Sequence, residues 1–385
     1  MRPAMPESLR QLLQTRRVLI AVGAGGVGKT TTAAALGVAA AREGKRVLCL
    51  TIDPAKRLAQ SLGLKEMTPE AMRVDPARFL EAGIVLKGQL TVAMVDTKRT
   101  FDDLIKRYSS TPEKAASLLG NKLYKYVSTS LAGTQEYMAM EKLIEAEKSP
   151  EWDLIILDTP PTANALDFLD APDTLINALD SAAMRWFIEA FQSTGKVSLN
   201  LLARSAALVL RGIGKLVGGG FLENMAEFIT ELNDLFGGFK QRAAAVHAAL
   251  RSPEASFVLV TSPAPMSVQE VLYFSDRLAE HKMPRGAFVV NRFRLPPLPT
   301  AAKLEPADAA RAIRAHGLVL DDDAPVRLVR AYADQVKLAA LDATHVVQLG
   351  VRAGNDVAIV RVPELSSDVH DLKLLAQIAD YLVAG

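Results

Sequence analysis

The sequence predicts an α/β fold, in which a mostly parallel sheet is flanked by helices, and three observations support this. Short apolar runs of strand length recur along the chain, and most are continuous rather than alternating, as expected of strands buried on both faces. Patterns of helical periodicity separate these runs. Short connections such as residues 43–45, where Gly44 ends a helix just before the next strand, are typical of βαβ units.

The predicted elements alternate along the chain. The predicted strands are 18–22, 46–52, 90–95, 154–157, 257–260, 287–290 and 357–362. The predicted helices include 31–43, 99–108, 136–148 and 268–281. The C-terminal segment 374–385 is apolar with helical spacing and carries no basic residue, so we expect it to pack on the sheet.

Composition limits the class of protein. A chain of 385 residues with 49% hydrophobic and 23% charged residues is expected to form a large core with an appended subdomain. Its net charge of +2 is too small for a general nucleic-acid or membrane surface, so no nucleic-acid partner is expected. No stretch of about 18 uncharged apolar residues occurs, so no transmembrane helix is expected. Residues 1–17 lack the apolar core of a secretion signal.

Cys49 is the only cysteine, and it lies in the apolar run 47–50. This context predicts a core strand residue. A single cysteine excludes an intrachain disulfide and a Cys-x-x-Cys zinc site, and it favours a cytoplasmic location.

The segment 23–30 reads GAGGVGKT and fits the phosphate-loop pattern G-x-x-x-x-G-K-[ST] between a predicted strand and a predicted helix. Glycines let backbone N–H groups converge on phosphate oxygens at a helix N-terminus. Lys29 is expected to reach the terminal phosphates, and the Thr30 hydroxyl to ligate Mg²⁺. The alternative is a glycine-rich turn without a ligand. The residues predicted to hold the nucleotide phosphates are Gly23, Gly25, Gly26, Val27, Gly28, Lys29, Thr30 and Thr31.

Two aspartates follow predicted strands. Asp53 comes after the second strand, and Asp158 comes after the fourth. Ligands of such folds bind outside the carboxyl ends of the strands, so both carboxylates are expected to point toward the phosphate loop. Asp158 after its apolar run matches a Walker B element, whose carboxylate holds Mg²⁺ directly or through water. A single strand-end aspartate is more often a turn or cap residue, but two in this order after a phosphate loop favour a site.

These motifs predict three parts of the chain. Residues 1–166 form the first part of a nucleotide-binding core, and residues 253–385 form the second part, with a mostly helical insert at 298–345. Between them, residues 167–252 contain no convincing strand and are predicted to form a helical insertion.

The phosphate loop, the segment Asp53-Pro54-Ala55 and the segment 158–162, which reads DTPPT, resemble those of the ArsA/GET family of deviant-Walker ATPases. That family includes the arsenite-pump ATPase and the eukaryotic targeting factor for tail-anchored membrane proteins. The resemblance extends to segment 131–137 and to Asn291, and it covers essentially the whole chain, weakly in the helical insertion.

The resemblance implies a mechanism and a set of site residues. Asp53 lies in switch I and orients or deprotonates the attacking water, while Asp158 opens switch II, senses the γ-phosphate and helps hold Mg²⁺, through water. Lys29 stabilises the charge of the transferring phosphoryl group. Asn291 contacts the adenine, and the loop at Pro363 lies against the base. For Asn291 alone, a bulge or strand-end residue is the alternative. The implied cofactors are ATP and Mg²⁺, and the implied partner is a second subunit, identical or paralogous.

The chain departs from the family pattern at several positions. Ala24 stands where relatives carry a second loop lysine that reaches the partner's nucleotide, which raises the hypothesis that a lysine-bearing paralogue completes the site. Lys56 replaces a frequent histidine, and Ala264 replaces a frequent glutamate near the adenine. Arsenite binding and the interfacial zinc of the family use several thiolates, so the lone Cys49 excludes both.

Segment 190–222 of the insertion contains no acidic residue and is amphipathic when placed on a helix. Its basic residues are Lys196, Arg204, Arg211 and Lys215. Such a basic amphipathic segment suits a membrane surface or an apolar partner helix, so the insertion is a candidate surface for a client or partner. An internal helix–helix core explains the same pattern.

The sequence therefore predicts a Mg²⁺-dependent, dimeric ATPase that switches an apolar surface for a membrane-protein client or protein partner. Two other functions stay open. One is a positioning ATPase of the MinD/ParA kind, whose membrane versions end in a basic amphipathic tail that this chain lacks. The other is a nucleotide-binding subunit of low activity within a heteromeric complex, which Ala24 keeps possible.

Overall fold

The computed structural model describes residues 6–52, 57–64, 67, 69–121, 124, 134–159, 169–171, 177, 241–297 and 304–384. The strands are β1 (Val18–Val22), β2 (Arg46–Thr51), β3 (Met72–Arg73), β4 (Gln89–Met94), β5 (Leu154–Asp158), β6 (Ala255–Thr261), β7 (Arg285–Phe293) and β8 (Ala358–Pro363). The helices are α1 (Leu9–Thr15), α2 (Lys29–Arg42), α3 (Arg57–Ser61), α4 (Pro76–Glu81), α5 (Thr97–Tyr108), α6 (Pro112–Gly120), α7 (Thr134–Glu147), α8 (Pro265–Glu280), α9 (Pro306–Ala315), α10 (Ala324–Ala353) and α11 (Leu372–Val383).

The strands form one eight-stranded sheet in the order β3-β4-β2-β5-β1-β6-β7-β8. Every pairing is parallel except that of β3 with β4, which is antiparallel. The α/β fold with a mostly parallel sheet is thus confirmed. All seven predicted strands are present, whereas β3 was not predicted because a two-residue edge strand leaves no apolar run in the sequence.

Helices cover both faces of the sheet, which explains the continuous apolar runs. One face packs against α5, α7, α8 and α10, and the other packs against α1, α2, α4 and α11. The alanines of α2 are buried, and the neighbouring helix α11 packs on α2 and β8. Small side chains let α2 approach the sheet closely, and this places the N-terminus of α2 directly over the end of β1.

Several helices begin where the sequence supplies a cap. Asp96 caps α5 by accepting a hydrogen bond from the Arg99 N–H, and Asp371 caps α11 in the same way. These caps fix where the chain leaves β4 and β8. They therefore help to set the loops at the carboxyl edge of the sheet.

Most of the predicted helical insertion, including the basic segment 190–222, lies outside the described residues. Residues 241–250, at its end, are helical. In the second insert, α9 and α10 flank an acidic turn, and α10 continues to Ala353, beyond the predicted end at residue 345. Within the part of the chain that the structure describes, no helix is long and apolar enough to cross a membrane.

Candidate functional site

The segment between β1 and α2 has the backbone of a phosphate loop. Gly28 is the N-cap of α2 and is left-handed, with φ 98° and ψ 28°. A Cβ atom on Gly28 would lie 2.1 Å from Asn291 Nδ2, and one on Gly23 would lie 2.0 Å from the main-chain oxygen of Val260. Both positions therefore need glycine for close approach. Gly28 has no side chain to cap α2, so the first N–H groups of the helix suit an anion.

Lys29, the first residue of α2, lies within this loop. Its side chain is buried, and Nζ donates to the main-chain oxygens of Gly23 at 2.9 Å and Ala24 at 2.8 Å. A buried ammonium in a loop of carbonyls is poised to exchange them for phosphate oxygens, which are stronger partners because they are charged. The contact of Lys29 with terminal phosphates stays a prediction.

Thr30 and Asp158 meet beside the loop. Thr30 Oγ1 donates to Asp158 Oδ2 at 2.8 Å, across 128 residues of sequence. Asp158 is the last residue of β5 and is 1% exposed. A hydroxyl next to a carboxylate is the hard-oxygen donor pair that Mg²⁺ accepts alongside substrate phosphates. Among the described residues, no group of three or more His, Cys, Asp or Glu could hold a metal ion.

A further hydroxyl reaches the same carboxylate, and sequence reasoning missed it. Thr51 Oγ1 donates to Asp158 Oδ2 at 3.0 Å, and Thr51 is buried. The only signal in the sequence is its spacing, two residues before Asp53, which places both on the same side of an extended chain.

Asp53, the predicted catalytic residue, and Lys56 lie outside the described residues. The chain is described up to Ile52, directly after β2. Since β2 neighbours β5, the chain enters the Asp53 segment beside Asp158.

A cavity of about 650 Å³ opens next to the loop, and its volume suits a small organic ligand. Gly28 and Thr31 of the predicted loop line it together with the predicted base residues Asn291 and Pro363, whereas Lys29, Thr30 and Asp158 do not. Its other lining residues, which the sequence did not indicate, are Gln60, Ser61, Arg292, Glu364, Leu365, Ser367, Asp368, Val369 and Ile378.

Asn291 connects the two halves of this pocket. Its Nδ2 donates to the main-chain oxygen of Val27 at 2.9 Å. This bond orients the side-chain amide, because the opposite orientation would bring two acceptor oxygens together. Arg292, the next residue, is left-handed with φ 55°, an uncommon conformation for a residue with a side chain.

Cys49 is buried in β2, as predicted. Burial, and secondarily the charge of Asp158, raises the pKa of the Cys49 thiol well above its usual range. A buried thiol that stays protonated is a weak nucleophile, so Cys49 has the character of a core residue.

Comparison with known proteins identifies the family. The model of the anion-transporting ATPase (ArsA ATPase) family matches residues 16–303, which include the phosphate loop, Asp158 and Asn291. The chain belongs to this family. It is an ATPase, and the resemblance to the ArsA/GET group is confirmed.

The relatives of this ArsA-family ATPase include fungal proteins. The chain is 24% identical to "ATPase get3" of Aspergillus terreus over 385 residues, which cover 100% of this chain and 94% of the relative. It is 26% identical to "ATPase GET3" of Mycosarcoma maydis over 305 residues, or 76% of this chain and 78% of the relative. The Phaeosphaeria nodorum "ATPase GET3" is also 26% identical, over 77% of this chain and 82% of that protein.

Proposed function

We propose that this ATPase is a cytoplasmic, Mg²⁺-dependent dimer that uses ATP binding and hydrolysis to switch a surface for a membrane-protein client or a protein partner. The observation that carries the nucleotide part is the meeting of Thr30 and Asp158 at 2.8 Å beside a glycine loop. A cavity of about 650 Å³ opens at the next loop residues, Gly28 and Thr31. The family membership and the fungal GET3 relatives support the wider role.

In this proposal each side chain has one task. Lys29 leaves the carbonyls of Gly23 and Ala24 for the terminal phosphates, and the N–H groups at the start of α2 hold the β-phosphate. Thr30 and Asp158 would hold Mg²⁺, the latter by way of a water, and the ion would supply neutralisation of the phosphate charge. Asp53 orients the attacking water and accepts its proton.

The base site is proposed to recognise adenine. With Nδ2 of Asn291 engaged by Val27, its carbonyl oxygen is left to accept a hydrogen bond. The 6-amino group of adenine donates such a bond, whereas the 6-oxo group of guanine does not. Pro363 supplies an apolar surface against the base.

The first experiment is the steady-state ATPase activity of the purified chain with Mg²⁺, together with its mass in solution with and without ATP. Lys29→Ala is the blank. Lysine-dependent turnover and an ATP-bound dimer are expected. A monomer in both states that still turns over ATP would contradict the dimer, and absence of lysine-dependent turnover would contradict the hydrolytic role.

One observation favours a second candidate, a subunit of low activity that needs a paralogue. Ala24 is half-buried and presents only a methyl group where relatives carry the lysine that reaches a partner's nucleotide. If this candidate is correct, Ala24→Lys raises the turnover of the isolated chain, because two copies could then complete each other's sites. An unchanged rate would argue against it.

A further inference from the structure

Three elements meet at one carboxylate oxygen. Thr30 at the start of α2 and Thr51 at the end of β2 both donate to Asp158 Oδ2, at 2.8 Å and 3.0 Å. Thr51 and Asp158 are direct partners in the β2–β5 pairing, so their side chains project from the same face of the sheet. That face is the one covered by α2, which carries Thr30.

The two hydroxyls have different chemical tasks. Thr30 belongs to the phosphate loop, and its oxygen is the proposed metal ligand. Thr51 is outside the loop and reaches the proposed site only by way of Asp158. A carboxylate that is 1% exposed is costly to keep charged unless donors compensate for lost water. The χ1 angle of a buried, β-branched strand residue is also restricted, so this donor is held in a fixed direction.

We propose that Thr51 is a positioning residue for the magnesium–nucleotide site: its hydroxyl fixes the orientation of the Asp158 carboxylate and joins it to the strand that runs into Asp53. This role rests on the proposed function, since it presumes that Thr30 and Asp158 hold the metal. It explains why a hydroxyl residue ends β2, directly after the apolar run 47–50. It also links the proposed metal site to the segment of Asp53, through the hydrogen bond of Thr51 to Asp158 and the main chain that follows Thr51.

The test compares ADP binding by calorimetry in EDTA and in Mg²⁺, for the wild-type chain and three variants. Thr51→Val removes the hydroxyl at nearly constant volume, and Thr51→Ser restores it. Thr91→Val is the matched control, because Thr91 is another buried strand threonine, placed in β4 opposite Leu48 rather than beside Asp158. Without metal, all four proteins should bind ADP alike. Mg²⁺ should raise the ADP affinity of Thr51→Val roughly tenfold less than that of the wild-type chain, as expected for the loss of one hydrogen bond to a charged group. The serine variant and the control should show the full increase.

Several results would overturn the role. Full metal enhancement in Thr51→Val would show that the hydroxyl does not position Asp158. Equal losses with and without Mg²⁺, or the same loss in Thr91→Val, would show a merely structural effect. Should the valine variant not fold, Thr51→Ala gives the same comparison. If the wild-type chain binds ADP equally with and without Mg²⁺, or not at all, the proposed function itself fails, and the role of Thr51 with it.

Discussion

Asn291 Nδ2 donates to the main-chain oxygen of Val27 at 2.9 Å, so β7 is joined to the phosphate loop at the point where α2 begins. Asn291 is only 9% exposed, and its amide also lies where any side chain on Gly28 would be. The proposed base contact at Asn291 and the loop at Val27 and Gly28 are therefore coupled through this contact. A substitution at one of them should change ligand binding at the other.

We predict that Asn291→Ala weakens the binding of both ATP and inorganic tripolyphosphate. The variant leaves the Val27 oxygen without this donor, at a cost of about 1–3 kcal/mol. The loop is then held less firmly, and this affects ligands with and without a base. A residue that only contacts the base would affect ATP alone. Competition binding with both ligands separates the two roles, and unchanged tripolyphosphate affinity in the variant would show that the bond to Val27 does not support the loop.

We predict that Gly28→Ala reduces ATP affinity about 10- to 100-fold, corresponding to roughly 1–3 kcal/mol of backbone strain or displacement. The backbone is left-handed, and the added Cβ meets Asn291 Nδ2 at 2.1 Å. Gly120→Ala is the matched control, because a Cβ there meets nothing within 4 Å. Wild-type ATP affinity in Gly28→Ala would contradict the loop geometry, and a loss in the control would point to a global effect.

The sequence predicted the fold well because burial on both faces leaves an unambiguous pattern. Every residue of β1, β5 and β6 is buried, and each of these strands reads as an apolar run. The phosphate loop could be proposed from the sequence alone, since its glycines and Lys29 follow one another along the chain.

Other parts of the site depend on register between distant strands. The bond of Thr51 to Asp158 spans 107 residues, and that of Asn291 to Val27 spans 264, so no local spacing reveals either. The family resemblance gave Asn291 a contact with the base, but not its bond to the loop. Threonine is common in strands because its β-branched side chain packs well there. The presence of Thr51 in a strand therefore did not indicate a role in the site.

A buried ion pair joins α7 to the helical residues 241–250. Glu141 of α7 has a side chain that is 1% exposed, and it pairs with Arg242 and accepts a bond from Tyr137 Oη at 2.7 Å. Burial raises the pKa of the Tyr137 phenol, with the Glu141 charge contributing, so Tyr137 stays a donor across the physiological range.

We predict that Arg242→Met lowers the free energy of unfolding by about 3–5 kcal/mol, because the buried Glu141 carboxylate loses its counter-charge. Lys106→Met is the control, since its pair with Asp103 is exposed and should change stability by at most about 1 kcal/mol. Urea unfolding measures both. Equal, small effects in the two variants would show that the pair of Arg242 with Glu141 does not stabilise the fold. The double variant Glu141→Gln/Arg242→Met should recover part of the lost free energy of unfolding, because it also removes the buried charge.

Asp153, just before β5, makes a contribution to the free energy of unfolding that depends on pH in the acid range. Its carboxylate accepts hydrogen bonds from the Arg46 guanidinium at 2.7 Å and 3.1 Å and from the Arg46 N–H at 2.8 Å. These interactions lower the pKa of Asp153 from 3.8 to about 2. A lowered pKa means that the folded state favours the charged form, so the contribution is present above pH 3.8 and is lost as the pH falls toward 2. Because the side chain is 38% exposed, solvent screening keeps the contribution below about 1 kcal/mol.

We predict that Asp153→Asn lowers the free energy of unfolding by a fraction of a kcal/mol, about 0.5, at pH 6, and that the difference from wild type shrinks toward pH 2. The isosteric amide can still accept from the Arg46 N–H but carries no charge that titrates. Urea unfolding at a series of pH values measures the difference directly. Asp380→Asn is the matched control, because its pair with Arg42 is more exposed and should show a smaller pH-dependent difference. A constant difference at every pH would show that the effect of Asp153 is packing rather than charge.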